Sequence, residues 1–186
     1  MRLFIAIDFN EQIKSTLFDL SSQLMRQADT GRPVPAENYH LTLAFIGQTE
    51  RLQEVQQALA TACRSHFTQA IQLSFQGIGS FRGRKGHTWW VGIKDNPALS
   101  LLANRITDQL RLAGFNIEAR TFKPHITIGR AVVTSRPISL QLPPITFEAH
   151  SISLMRSELR NGRAHYHELY ACDIHEGGAE HADHLV

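Results

Sequence analysis

"YHLTLAFIG" (residues 39–47) and "KPHITIGRA" (residues 123–131) each place a His-x-Thr-x tetrad at the mouth of an apolar run. Side chains at i and i+2 of a strand share a face. His40 and Thr42 therefore stand together, as do His125 and Thr127. Leu41, Leu43 and Phe45, and likewise Ile126 and Ile128, turn the other way into a core. One such strand carries little information, because a histidine at a strand edge is commonly structural and threonine suits strands anyway. The repetition decides the reading.

The segments around each tetrad also match. "LFIAI" (3–7) reads as a strand, Asn10 as the cap of a helix with Ile13, Leu17, Leu20 and Leu24 on one face, and Gly31, Pro33 and Pro35 as a loop. "WWVGI" (89–93) reads as a strand, Asn96-Pro97 as a cap with proline at the first helical position, and Leu99, Leu102, Ile106 and Leu110 as a helical face that Gly114 ends. Asn10 precedes His40 by 30 positions, and Asn96 precedes His125 by 29. The order implies an internal repeat, around 3–47 and 89–131, and two lobes related by a pseudo-twofold axis.

Residues 50–65 suit a helix through Leu52, Val55 and Leu59, 71–76 alternate as a strand, and 145–174 read as a hairpin turning at Asn161-Gly162. The fold class expected is α+β, with antiparallel or mixed sheets, outer helices and a groove between the lobes. One bilobal domain spans 1–176, and the small, polar tail 177–186 is expected to be disordered.

Composition narrows the classes. With 42% hydrophobic residues, 19% charged and a net charge of +2, the chain is an ordinary globular protein and no nucleic-acid carpet. The apolar run after Met1 is too short for a signal core or a membrane span, so the expected compartment is the cytoplasm, with no membrane partner and a monomeric chain. Cys63 and Cys172 form no CxxC motif and are expected to be free, buried and inert. "GSFRGRKGH" (79–87) lacks the P-loop spacing, so no NTP is implied; it reads as a basic hairpin tip.

If both polar faces line one groove, two imidazoles and two hydroxyls converge. That set suits a phosphodiester: one neutral imidazole takes a proton from the nucleophile and one imidazolium gives a proton to the leaving oxygen. The threonines would donate to non-bridging phosphate oxygens. No metal or other cofactor is required.

"RLFIAID", "RPVPAENYHLTLAFIG" and "FKPHITIGRA", with intact tetrads "HLTL" and "HITI", resemble the two-histidine phosphoesterases, and within them the RNA 2′,3′-cyclic phosphodiesterases, also called 2′-5′ RNA ligase-like proteins. The resemblance implies opening of a 2′,3′-cyclic phosphate at an RNA end, single-stranded or tRNA-like, to leave a 2′-phosphate. It casts His40 as proton donor and His125 as proton acceptor. Reverse 2′-5′ joining, with a ribose hydroxyl replacing water, follows as a side activity.

Arg130 has the wrong parity for the groove on a regular strand, but a bulge at Gly129 would turn it toward phosphate. Arg156, Arg163 and Tyr166 are candidates for stacking on RNA bases. Phe45 reads as core, and becomes a base-stacking candidate only if the first motif's strand twists; Trp89 and Trp90 read as core and rim of their strand. His165, His167, His175, His181 and His184 show no metal-ligand spacing. Two rival classes stay open: an RNA-binding module without catalysis, and a metal-dependent phosphohydrolase using His40 and His125 as ligands.

Overall fold

The computed structural model describes residues 1–63, 69–119 and 121–174. Nine strands and three helices follow in the order β1 (Arg2–Asp8), α1 (Glu11–Gln27), β2 (Thr30–Pro33), β3 (His40–Gln48), α2 (Leu52–Cys63), β4 (Ile71–Gly83), β5 (Gly86–Ile93), α3 (Pro97–Leu112), β6 (His125–Val133), β7 (Thr146–Ala149), β8 (Ser151–Arg160) and β9 (Arg163–Asp173). They form two sheets, ordered β3-β1-β8-β9 and β2-β6-β5-β4-β7. All ladders between neighbours are antiparallel. The expected α+β class and two-lobed architecture hold.

Local chemistry explains the boundaries. The Asn10 and Asn96 side chains accept from Ile13 N and Leu99 N, each at 3.0 Å, and Pro97 opens α3. Asn161 and Gly162 both have positive φ, 51° and 74°, as a tight hairpin turn requires. Three expectations shift. Part of the first loop is the short strand β2. The last hairpin begins at Ser151, because β7 pairs with β4 in the other sheet. The first helix after the tetrad runs Leu52–Cys63, and residues 64 and 65 lie outside the described residues, as does the tail 177–186.

The repeat does not divide lobe by lobe. β1 and β3 share one sheet, yet α1 between them packs on β2 and β6 of the other. α3, which follows β5, packs on β3 and α2. Each repeat lends its helix to the opposite lobe. A single apolar cluster, including Leu17, Leu20 and Leu24 of α1, Leu41 of β3 and Ile126 and Ile128 of β6, runs through both. This exchange brings β3 against β6.

Cys63 is buried and Cys172 is only half-buried, and neither forms a disulfide. A hydrogen bond with Cys172, together with burial, pushes the Cys63 thiol far above its ordinary range. No helix among the described residues is long and apolar enough to cross a membrane.

Candidate active site

The register of the sheets fixes what faces the groove. Opposed residues of an antiparallel pair share a face. Asp8, Ala6 and Phe4 of β1 stand opposite His40, Thr42 and Phe45 of β3. Those six side chains therefore line one face, and Leu3, Ile5 and Ile7 line the other, fully buried. In the second sheet Gly92 opposes His125 and Trp90 opposes Thr127.

Phe45 departs from expectation. Ile5 pairs with Ala44 and Ala6 with Thr42, so Leu43 is an extra residue and the alternation slips by one. Leu43 and Ala44 are both buried and Phe45 swings to the histidine face, 65% exposed. β6 does the same three positions after its histidine. Trp90 pairs with Thr127 and Trp89 with Gly129, leaving Ile128 extra. Ile128 is buried and Arg130 turns outward onto the groove side.

Each imidazole is held alike at one nitrogen. His40 donates Nδ1–H to the Asn38 carbonyl at 2.8 Å, and His125 donates Nδ1–H to the Lys123 carbonyl at 2.7 Å. Both Nε2 atoms are thereby left as the working nitrogens. Thr42 donates its hydroxyl to His40 Nε2 at 3.0 Å in the neutral ring. The Asn38 carbonyl is itself anchored, because the Asn38 side chain donates to the Ala164 carbonyl at 2.8 Å. Sequence reading missed this residue, although an asparagine two places before the tetrad was visible.

Aromatic rings wall both sites. Tyr166 meets the His40 ring edge-on (centroids 5.1 Å, 87°), and Phe4 lies 4.9 Å from both. Phe81 meets the His125 ring edge-on (5.2 Å, 86°), with Trp90 at 6.2 Å. Trp90, expected at core or rim, is thus a wall of the groove; a Cβ on Gly79 would lie 2.5 Å from its ring, so glycine leaves the space. Phe81 was not anticipated.

Electrostatics joins the two motifs. His40 keeps some solvent exposure, yet the atoms crowded around it make burial the main influence on its pKa, which falls below the ordinary value. The Asn38 hydrogen bond and Asp8 act upward, while the charges of Arg130 and His125 push further down. Residues 85 positions apart thus lie within one another's field.

Other candidates lie elsewhere. Met155 opposes Phe4, so Arg156, its neighbour on β8, stands on the far face, where its Nη2 pairs with Glu158 Oε1 at 2.6 Å. Arg163 opens β9 at the exposed turn. Neither joins the histidines; of the three RNA-stacking candidates only Tyr166 does. His165 opposes Glu158 and His167 opposes Arg156, again on the far face, and His175, His181 and His184 lie outside the described residues. The basic segment 79–87 forms the β4–β5 hairpin tip, with Gly83 opposite Gly86. Among the described residues no three His, Cys, Asp or Glu side chains gather as metal ligands.

The chain and its fold have known counterparts. An RNA 2′,3′-cyclic phosphodiesterase from Thermotoga maritima is 30% identical over 186 residues, covering 96% of this chain and 97% of that protein. One from Escherichia coli is 29% identical over 171 residues, covering 90% and 93%. The crystal structure of E. coli LigT complexed with 3′-AMP superposes with a TM-score of 0.75 at 28% identity, covering 93% of this chain and 97% of that one. The profile of the 2′-5′ RNA ligase superfamily matches residues 17–161. With paired His-x-Thr strands facing one groove and a family match over most of its length, the chain belongs to the 2′-5′ RNA ligase superfamily.

Proposed function

We propose that this enzyme hydrolyses RNA 2′,3′-cyclic phosphodiester ends to 2′-phosphomonoesters, by acid–base catalysis between His40 and His125 without a metal. Water attacks phosphorus, and His125 Nε2 takes its proton. The P–O3′ bond breaks, and the imidazolium of His40 gives its Nε2 proton to the departing 3′ oxygen. The products are a 2′-phosphate and a 3′-hydroxyl. Thr42 and Thr127 donate to the non-bridging oxygens, and Arg130 offsets their charge. A ribose 5′-hydroxyl in place of water opens the ring by the same displacement: it bonds to phosphorus, the P–O3′ bond breaks, and two ends are joined through a 2′-5′ linkage.

The observation that carries this reading is the common orientation of two histidines from different sheets, each with Nδ1 bound and Nε2 left for chemistry, within one electrostatic field. Binding alone asks for cations and aromatic platforms, not for matched imidazoles. The low pKa of free His40 fits an acid that is loaded by its substrate, because an anionic phosphate beside the ring favours the imidazolium. The substrate is a single-stranded or tRNA-like RNA end, and the enzyme acts as a cytoplasmic monomer.

The test is direct. Purified protein is incubated in EDTA with an RNA ending in a 2′,3′-cyclic phosphate, and the product end is identified. A 2′-phosphate is expected. Binding without turnover makes the chain an RNA-binding module, and turnover restored only by added metal makes it a metal-dependent phosphohydrolase.

A further inference from the structure

Arg130 has a neighbour that the histidine chemistry leaves unused. In the β2–β6 pair, Pro33 lies opposite Gly129 and Arg32 opposite Arg130. Two glycines reveal where these arginines point. A Cβ on Gly129 would meet Leu24 Cδ2 at 2.7 Å and Met25 Cε at 3.0 Å. A Cβ on Gly31 would meet Val132 Cγ2 at 3.1 Å and Met25 Sδ at 3.4 Å. Both glycines thus face helix α1. Successive strand residues turn to opposite faces. Arg32 and Arg130 therefore both point away from α1, to the groove side, where the charge of Arg130 reaches His40.

Both arginines are exposed. Like charges directly opposed weaken a strand pair. The other ion pairs of the fold have carboxylates, as Lys14 has Asp8 and Arg51 has Glu54. Among the described residues no carboxylate lies within ion-pair distance of Arg32 or Arg130. A ligand anion is what would relieve this repulsion. Guanidinium forks match phosphate oxygens in pairs. Arg32 stands one strand further out than Arg130, about 4.8 Å at the backbone. Phosphates along a nucleic-acid strand recur on a similar scale, about 3.4 Å of rise each in a helix.

We propose that Arg32 forms a second anion subsite beside Arg130: Arg130 stays with the cyclic phosphate, and Arg32 takes a phosphate one nucleotide away from it. The subsite rests on the cyclic-phosphate reading of the histidine pair and specifies its substrate: an RNA end that carries a further phosphate, in preference to a bare cyclic nucleotide. That further phosphate is either an internal phosphodiester or a terminal monophosphate.

Three substrates with the same base separate the cases: a nucleoside 2′,3′-cyclic phosphate, the same compound with a 5′-phosphate, and a dinucleotide ending in the cyclic phosphate. kcat/KM is measured on each for the wild type, Arg32→Gln and Arg32→Lys. The wild type is expected to favour one or both phosphate-bearing substrates over the bare one by about tenfold or more, the scale of charge-assisted hydrogen bonds. Preference for the dinucleotide alone assigns the subsite to a phosphodiester; preference for both assigns it to phosphate in general. In Arg32→Gln the ratio falls to within about twofold of one, and in Arg32→Lys, which keeps charge without the fork, it is intermediate. A ratio unchanged in Arg32→Gln, or an equal loss on all three substrates, overturns the subsite. A wild type that hydrolyses all three equally overturns the subsite alone, and one that hydrolyses none overturns the histidine reading itself.

Discussion

His40 and His125 share a backbone setting but not an environment. Each gives Nδ1–H to the carbonyl two residues before it, yet burial and the nearby cations depress the pKa of His40. Replacing either by alanine is expected to lower kcat by roughly 10²–10⁴ with little change in melting temperature; near wild-type turnover in either variant removes that histidine from the mechanism. The depressed pKa of free His40 shows in the pH profile whichever role the ring plays, because the lower of two required ionisations governs the acidic limb. The acidic limb of kcat/KM is therefore expected below the usual histidine value of about 6.5, and a limb at or above that value would mean that His40 is not depressed. In the complex the phosphate anion raises the His40 pKa, so the acidic limb of kcat lies at higher pH.

At the scale of elements, the motif strands work because they are irregular. Simple alternation assigned His40, Thr42, His125 and Thr127 to one face correctly, since no bulge intervenes between the histidine and the threonine of either motif. It failed for Phe45, because Leu43 is an inserted residue that only the ladder to β1 discloses. The bulge suspected near Gly129 was legible from the glycine; the first motif carries Ala44 at that offset, so the signal was weaker there. Arg156 looked available because its sequence shows a cation, whereas its face depends on pairing with β1. The glycine at 129 has a packing reason as well. Its missing Cβ is what lets Leu24 and Met25 close on β6. Gly129→Ala is expected to cost about 1–3 kcal/mol by overpacking and to lower kcat/KM, because β6 carries both His125 and Arg130. Chemical denaturation and kinetics on the variant check both; unchanged stability would mean that α1 yields freely.

Across the whole molecule, the exchange of helices makes the groove a property of both lobes at once. α1 leaves β1 of one sheet, packs under β6 of the other, and accepts a further link there, since Ser21 donates its hydroxyl to the Ile128 carbonyl at 2.7 Å. Were the lobes independent, the distance between Nε2 atoms would vary with their relative motion and no fixed acid–base pair would exist. Leu17, fully buried on α1, tests the coupling. Leu17→Ala is expected to cost about 2–5 kcal/mol, as lost burial plus a cavity. The two tryptophans, Trp89 and Trp90, both lie on β5, so their fluorescence reports one sheet, while far-UV circular dichroism reports the whole chain. Because one apolar cluster crosses both sheets, the two signals should trace a single urea transition in wild type and variant alike, displaced to lower urea in Leu17→Ala. Separate midpoints for fluorescence and circular dichroism would mean that the lobes unfold apart, and that something other than the shared core holds the two histidines together.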